Sequence, residues 1–97
     1  MHRLELSRRA MRSLRRIPKD RARSILEALD ELAALPEPAT QPNVKAMKGD
    51  WKGCLRIRIG SYRAIFELHA DPLTDPADNL LLISVVALGP RSDIYKR

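Results

Sequence analysis

Ninety-seven residues exclude a second domain and allow one modest core. With 44% hydrophobic and 31% charged residues the chain is globular in composition rather than disordered. The net charge of +6 and the pI near 10.1 fit either a polyanionic partner, nucleic acid or acidic protein, or a merely solvated surface.

The chain opens on HRLEL (2–6), whose polar–apolar alternation predicts a short half-buried strand, with His2 expected to be exposed. Ser7 stands where a helix N-cap belongs. Behind it Ala10, Met11, Leu14 and Ile17 recur at helical spacing, while Arg8, Arg12 and Arg15 line another face. Pro18 closes this helix and suits the first turn of the next. Over 19–35 the apolar stripe is Ala22, Ile25, Leu26, Leu29, Leu32 and Ala33. Pro36, Pro38 and Pro42 then make 36–43 an extended loop.

From residue 44 the period changes from that of helices to that of strands. VKAM (44–47) predicts a short strand and Gly49-Asp50 a turn. CLRIRI (54–59) and YRAIFELH (62–69) both alternate, and only Gly60-Ser61 separates them. Glycine at the first central position predicts a type II′ hairpin. A polar connection over 71–78 leads to LLLISVVAL (80–88), an apolar run expected to be a central strand, and Gly89-Pro90 ends it. The expected fold is α+β: a small antiparallel sheet of four to five strands, with an N-terminal helical hairpin packed on one face, in a single domain over 1–97.

Charge is concentrated in the middle of this layout. Lys45, Lys48, Lys52, Arg56, Arg58 and Arg63 face only Asp50 between residues 45 and 63. In the hairpin register, Ile59 pairs with Tyr62, Arg58 with Arg63, Ile57 with Ala64 and Arg56 with Ile65. Arg56, Arg58 and Arg63 then share one face, and Leu55, Ile57, Ile59, Tyr62, Ala64 and Phe66 the other. Arg58 and Arg63 would stand opposite each other with Cβ atoms about 5 Å apart, a like-charge pair that costs stability. A phosphate would relieve it, since the guanidinium fork fits phosphate geometry. The alternative is that the side chains splay into water, with Glu67 on the same face as a counter-charge.

Other residues carry less. Tyr62 reads as core. Trp51 either stacks a base or, more in keeping with a turn, anchors its loop. His69 shares the Arg63 face near a strand end and reads as solvated rather than as an acid or base. Two histidines and one cysteine (Cys54) without ligand spacing predict no metal site and no cofactor. Cys54 excludes an internal disulfide. No apolar run approaches the roughly eighteen residues of a membrane span. A cytoplasmic location without membrane contact is therefore expected.

The order of these features resembles the RelE/ParE superfamily of bacterial toxin–antitoxin toxins, and within it the RelE-like branch. The matching segments are 2–35, VKAMKGDWKGCLRIRIGSYRAIFEL (44–68), and the closing strand with its GPRSDIYKR tail (80–97). The resemblance implies a cognate antitoxin and, for RelE-like members, endonucleolytic cleavage of mRNA in the ribosomal A site. It places Arg56 and Arg58 at a basic pair of that branch, Arg63 at the arginine of its Y-R motif, and Arg91 and Tyr95 at its C-terminal arginine and tyrosine. On this view Arg63, Arg91 and Tyr95 are catalytic, and Arg56, Arg58, Lys48 and Lys52 bind RNA. The chain departs from the family in carrying arginines where lysines often stand, and only one arginine before Tyr95. Arginine does not readily serve as a general base, so this departure argues against a proton-abstracting role for the pair. An apolar groove between helices and sheet is the expected seat of an amphipathic antitoxin segment. Two other functions stand beside it. One is a ParE-like poison of DNA gyrase, which shares the fold but binds a protein and cleaves no RNA. The other is a non-catalytic RNA- or ribosome-binding module that uses the same basic face through phosphate contacts alone.

Overall fold

Two kinds of connection, tight turns and one long helical crossover, decide how the strands pair. The computed structural model describes residues 1–94. In chain order it contains β1 (Arg3–Leu6), α1 (Arg8–Arg16), α2 (Lys19–Ala34), β2 (Val44–Ala46), β3 (Leu55–Ile59), β4 (Tyr62–Ala70), β5 (Leu81–Pro90) and α3 (Arg91–Ile94). The sheet runs β1-β5-β4-β3-β2. β3 and β4 form the expected hairpin in the expected register, from Ile59↔Tyr62 through Arg58↔Arg63 to Leu55↔Phe66. Gly60 has φ +61° while Ser61 keeps negative φ, as a type II′ turn requires.

The fold is α+β as expected, but the sheet is mixed rather than wholly antiparallel. β1 lies parallel to β5, with Arg3↔Leu82 through Leu6↔Val85. The physical reason is the connection: β1 reaches the other strands only through both helices, a crossover long enough for parallel pairing. Ser7 fixes the junction. Its amide donates to the Val85 carbonyl at 2.8 Å, its hydroxyl donates to Val86 O at 2.8 Å, and the same oxygen caps α1 by accepting from Ala10 N–H at 3.1 Å.

Val86 is the extra residue of a bulge opposite Ile65 and Phe66. The bulge reverses which parity of β5 faces the helices. Ile83, Val85 and Leu88 point to the main core, whereas Ala87 points to the opposite face. This explains why the run over 80–88 is apolar almost throughout. The main core packs Ala10, Ile25, Leu29, Leu32 and Ala33 against Ile57, Ala64, Phe66, Ile83, Val85 and Leu88. Leu26, placed on the stripe by spacing, is exposed instead. This core fills most of the space between helices and sheet. Clefts of about 220 Å³ lie where α2 passes β3 and the hairpin turn, and one of about 310 Å³ lies between α1 and the end of the sheet.

His2 corrects the sequence reading, because it is buried. Its Nδ1 accepts from Leu81 N–H at 2.9 Å and its Nε2 lies 3.2 Å from Pro36 O, so one neutral tautomer satisfies both ring nitrogens. Beside it, Asp71 is also buried and ties the β4–β5 connection to β1. Its carboxylate accepts from Leu73 N–H at 3.0 Å and from Arg3 Nε at 3.3 Å. The Leu73 amide, opposed by burial and joined by the Arg3 guanidinium, holds the Asp71 carboxyl below its usual value. Such a group contributes stability above its unfolded value, about 3.9, and loses that contribution as pH falls through the lower folded value. Urea unfolding is expected to find Asp71→Asn less stable than the parent at pH 7, with the gap closing below pH ~4. An equal gap at both pH values would remove the carboxylate from this role.

Candidate functional site

The face of the sheet opposite the long helices is built from residues that alternate out of the main core. On β4 these are Arg63, Ile65, Glu67 and His69, and Arg56 and Arg58 join them from β3. Spacing alone suggested an arginine cluster there. The structure adds a second apolar cluster in its midst, formed by buried Trp51, Ile65, Ala87 and Ile94 with Met47, Cys54 and Val86 against them. Trp51 is therefore an anchor. It pins the 47–54 loop, which is closed by Lys52 N–H to Gly49 O, Cys54 N–H to Trp51 O and Met47 N–H to Cys54 O at 2.9–3.0 Å. Lys48 and Lys52 flank that anchor and are exposed. Ile94 brings α3 onto the same cluster, so exposed Arg91 starts its helix beside the end of β5.

Arg63 is the unusual member. It stands opposite Arg58 on one side and Gly89 on the other, and is only 8% exposed. Its Nη1 donates to Tyr62 O at 3.3 Å, while its Nε is buried and has no hydrogen-bond partner among the described residues. It makes no ion pair with Glu67. That carboxylate instead lies 3.9 Å from His69 Nε2, and both side chains reach solvent. A guanidinium this buried, with no carboxylate partner among the described residues and a second arginine opposite, is costly to the fold. The β5 side is open, since a Cβ on Gly89 would meet nothing within 4 Å. Arg58 is exposed and Arg56 half-buried.

Of the residues singled out by sequence, Arg56, Arg58 and Arg63 share one face, and Lys48, Lys52 and Arg91 border it. Tyr95 lies outside the described residues. His69 is exposed near the far end of β4, as expected of a solvated histidine. Among the described residues no group of three His, Cys, Asp or Glu is placed to hold a metal ion, and no helix is long and apolar enough to cross a membrane. The sequence reading missed the apolar cluster inside the basic face. Ile65, facing Arg56 across the hairpin, was its only local signal.

The match to known families decides what kind of molecule carries this face. Residues 4–95 fit the model of the ParE toxin of the type II toxin–antitoxin system parDE. The chain belongs to the ParE toxin family. It is thus a toxin of a type II toxin–antitoxin system, within the RelE/ParE superfamily that the residue pattern resembled. No curated protein matches the sequence.

Solved toxins share the fold. A chain of the RelBE2 toxin–antitoxin complex from Mycobacterium tuberculosis superposes with TM-score 0.70 at 19% identity, over 95% of this toxin and 93% of that chain. One from the archaeal RelE–RelB complex of Pyrococcus horikoshii gives 0.64 at 26% identity, over 95% and 97%. The YoeB/ParE toxin of Agrobacterium tumefaciens gives 0.67 at 14%, over 92% and 98%.

Proposed function

We propose that this toxin inhibits translation by cleaving mRNA in the ribosomal A site, with the arginine face as its active surface. The observation that carries the proposal is Arg63, a buried guanidinium without a carboxylate partner among the described residues, facing a second arginine and open on its Gly89 side. Folding does not favour that arrangement, whereas a phosphate would complete it.

In this reading the RNA 2′-oxygen attacks the adjacent phosphorus and the P–O5′ bond breaks. The 2′-hydroxyl proton leaves to solvent, and the 5′-oxygen takes a proton from solvent. The products are a 2′,3′-cyclic phosphate and a 5′-hydroxyl end. Arg63 and Arg91 stabilise the charge that develops on the phosphorane, as preorganised donors do. Arg56 and Arg58 hold the backbone and favour ionisation of the 2′-hydroxyl. Lys48 and Lys52 add phosphate contacts. Tyr95 stacks on a base or shuttles a proton. A cognate antitoxin neutralises the chain, as fits its family and the toxin–antitoxin complexes it resembles.

A second reading is inhibition of DNA gyrase, favoured by the match to a ParE toxin model. Expression in cells separates the two. The ribonuclease reading expects protein synthesis to stop within minutes, with mRNA cut inside reading frames and DNA intact. Gyrase-trapped DNA breaks with whole mRNA would replace it by the second reading.

A further inference from the structure

Helix α1 carries charge that its own stability does not ask for. Five of its nine residues are arginine and none is acidic. Arg8 and Arg9 occupy the first turn, where the helix dipole disfavours cations. Arg12 lies within three or four residues of four other arginines, in pairs that repel. A ligand that gathers these charges would offset both penalties.

Three of the α1 side chains, Arg9, Ser13 and Arg16, fall at i, i+4 and i+7 and so form one stripe. That stripe lines a cleft of about 310 Å³ between α1 and the end of the sheet, with Tyr62, Gly89 and Ile94 on its other walls. The volume lies at the lower end of those that enclose small ligands. Arg9 also leans over the Trp51 ring, 5.8 Å from its centroid, which links the cleft to the anchored loop. Arg16 is exposed and has no ion pair among the described residues.

The cleft shares two residues with the arginine face. Gly89 lines it and pairs with Arg63, and Ile94 lines it while packing under the basic loop. We infer that the cleft is a second RNA subsite, taking the nucleotide next to the one held at Arg63. Arg9 and Arg16 bind its phosphate, Ser13 donates to it, and Tyr62 gives its base or ribose an aromatic wall. The inference rests on the RNA reading above and extends it.

Binding of fluorescent, 2′-O-methylated RNA to the whole chain tests this without cleavage, using a strand of about three nucleotides and one of about nine. The longer strand is expected to bind more tightly. Arg16→Gln should reduce that advantage several-fold and lower the magnitude of the salt slope by about 0.7. The Arg9→Gln/Arg16→Gln pair should remove roughly tenfold and lower the slope by about 1.4. Neither should weaken the short strand. Fluorescence of Trp51, the single tryptophan, checks that the loop stays in place.

Equal affinity for both strands in the parent chain, or equal losses on both in the variants, would overturn the subsite. An acidic peptide that abolishes the length advantage while RNA of equal charge does not would assign the cleft to a protein partner, with the same consequence. Short-strand binding that survives Arg63→Ala instead counts against the arginine-face reading, and leaves the length comparison to judge the cleft.

Discussion

Replacing Arg63 with alanine is expected to lower mRNA cleavage on ribosomes by about 10²–10³-fold, the usual loss when one preorganised donor to a developing oxyanion is removed. Growth inhibition should disappear with it. The fold should not. Among the described residues Arg63 has no carboxylate partner and its Nε is unsatisfied, so its removal breaks no ion pair there. Arg63→Met makes the contrast sharper, because it keeps the stem that packs against the sheet and discards the buried charge. Replacing a buried charge by an apolar side chain of similar volume is often neutral or stabilising. The urea midpoint of Arg63→Met is therefore expected to equal or exceed that of the parent, while cleavage is lost. A strongly destabilised Arg63→Met would make Arg63 a structural residue, and an active one would remove it from the reaction.

Phe66→Ala is expected to do the reverse. Phe66 is wholly buried on β4, one residue from Ile65 but pointing to the other face. It packs among Ile83, Val85 and the α2 side chains in the main core. Truncation of such a phenylalanine costs about 3–5 kcal/mol. That is a large share of the roughly 5–15 kcal/mol of a typical domain, and corresponds to a fall in Tm of about 15–30 °C at this chain length. Whatever fraction remains folded should cleave RNA at the parent's rate, since the arginine face is untouched. A loss below about 1.5 kcal/mol in urea unfolding would mean that the core closes around the gap far better than its packing suggests.

The pair also shows what the sequence made legible. Alternation over 54–69 with Gly60-Ser61 between was enough to place Phe66 inward, Arg63 outward and Arg58 opposite it, because a two-residue turn leaves one register. Ser7 was legible as a cap from its type and position. The pairing of β1 was not, since nothing local distinguishes a parallel edge strand from an antiparallel one. His2 was misjudged because its partners, Leu81 N–H and Pro36 O, are backbone groups far along the chain. The burial of Arg63 was hidden as well, since spacing showed its face only as basic and not the apolar cluster of Trp51, Ile65, Ala87 and Ile94 that the same face carries. The bulge at Val86 could not be read from a run in which nearly every residue is apolar.

The family match makes the chain a toxin, and the arginine face makes RNA the expected target. The most direct measurement adds the purified chain to ribosomes stalled with a defined codon in the A site and maps the mRNA ends. Cleavage within that codon, leaving a 2′,3′-cyclic phosphate and a 5′-hydroxyl, and absent with Arg63→Ala, is the expected result. Intact mRNA with the parent chain, or equal cleavage by Arg63→Ala, would contradict the account.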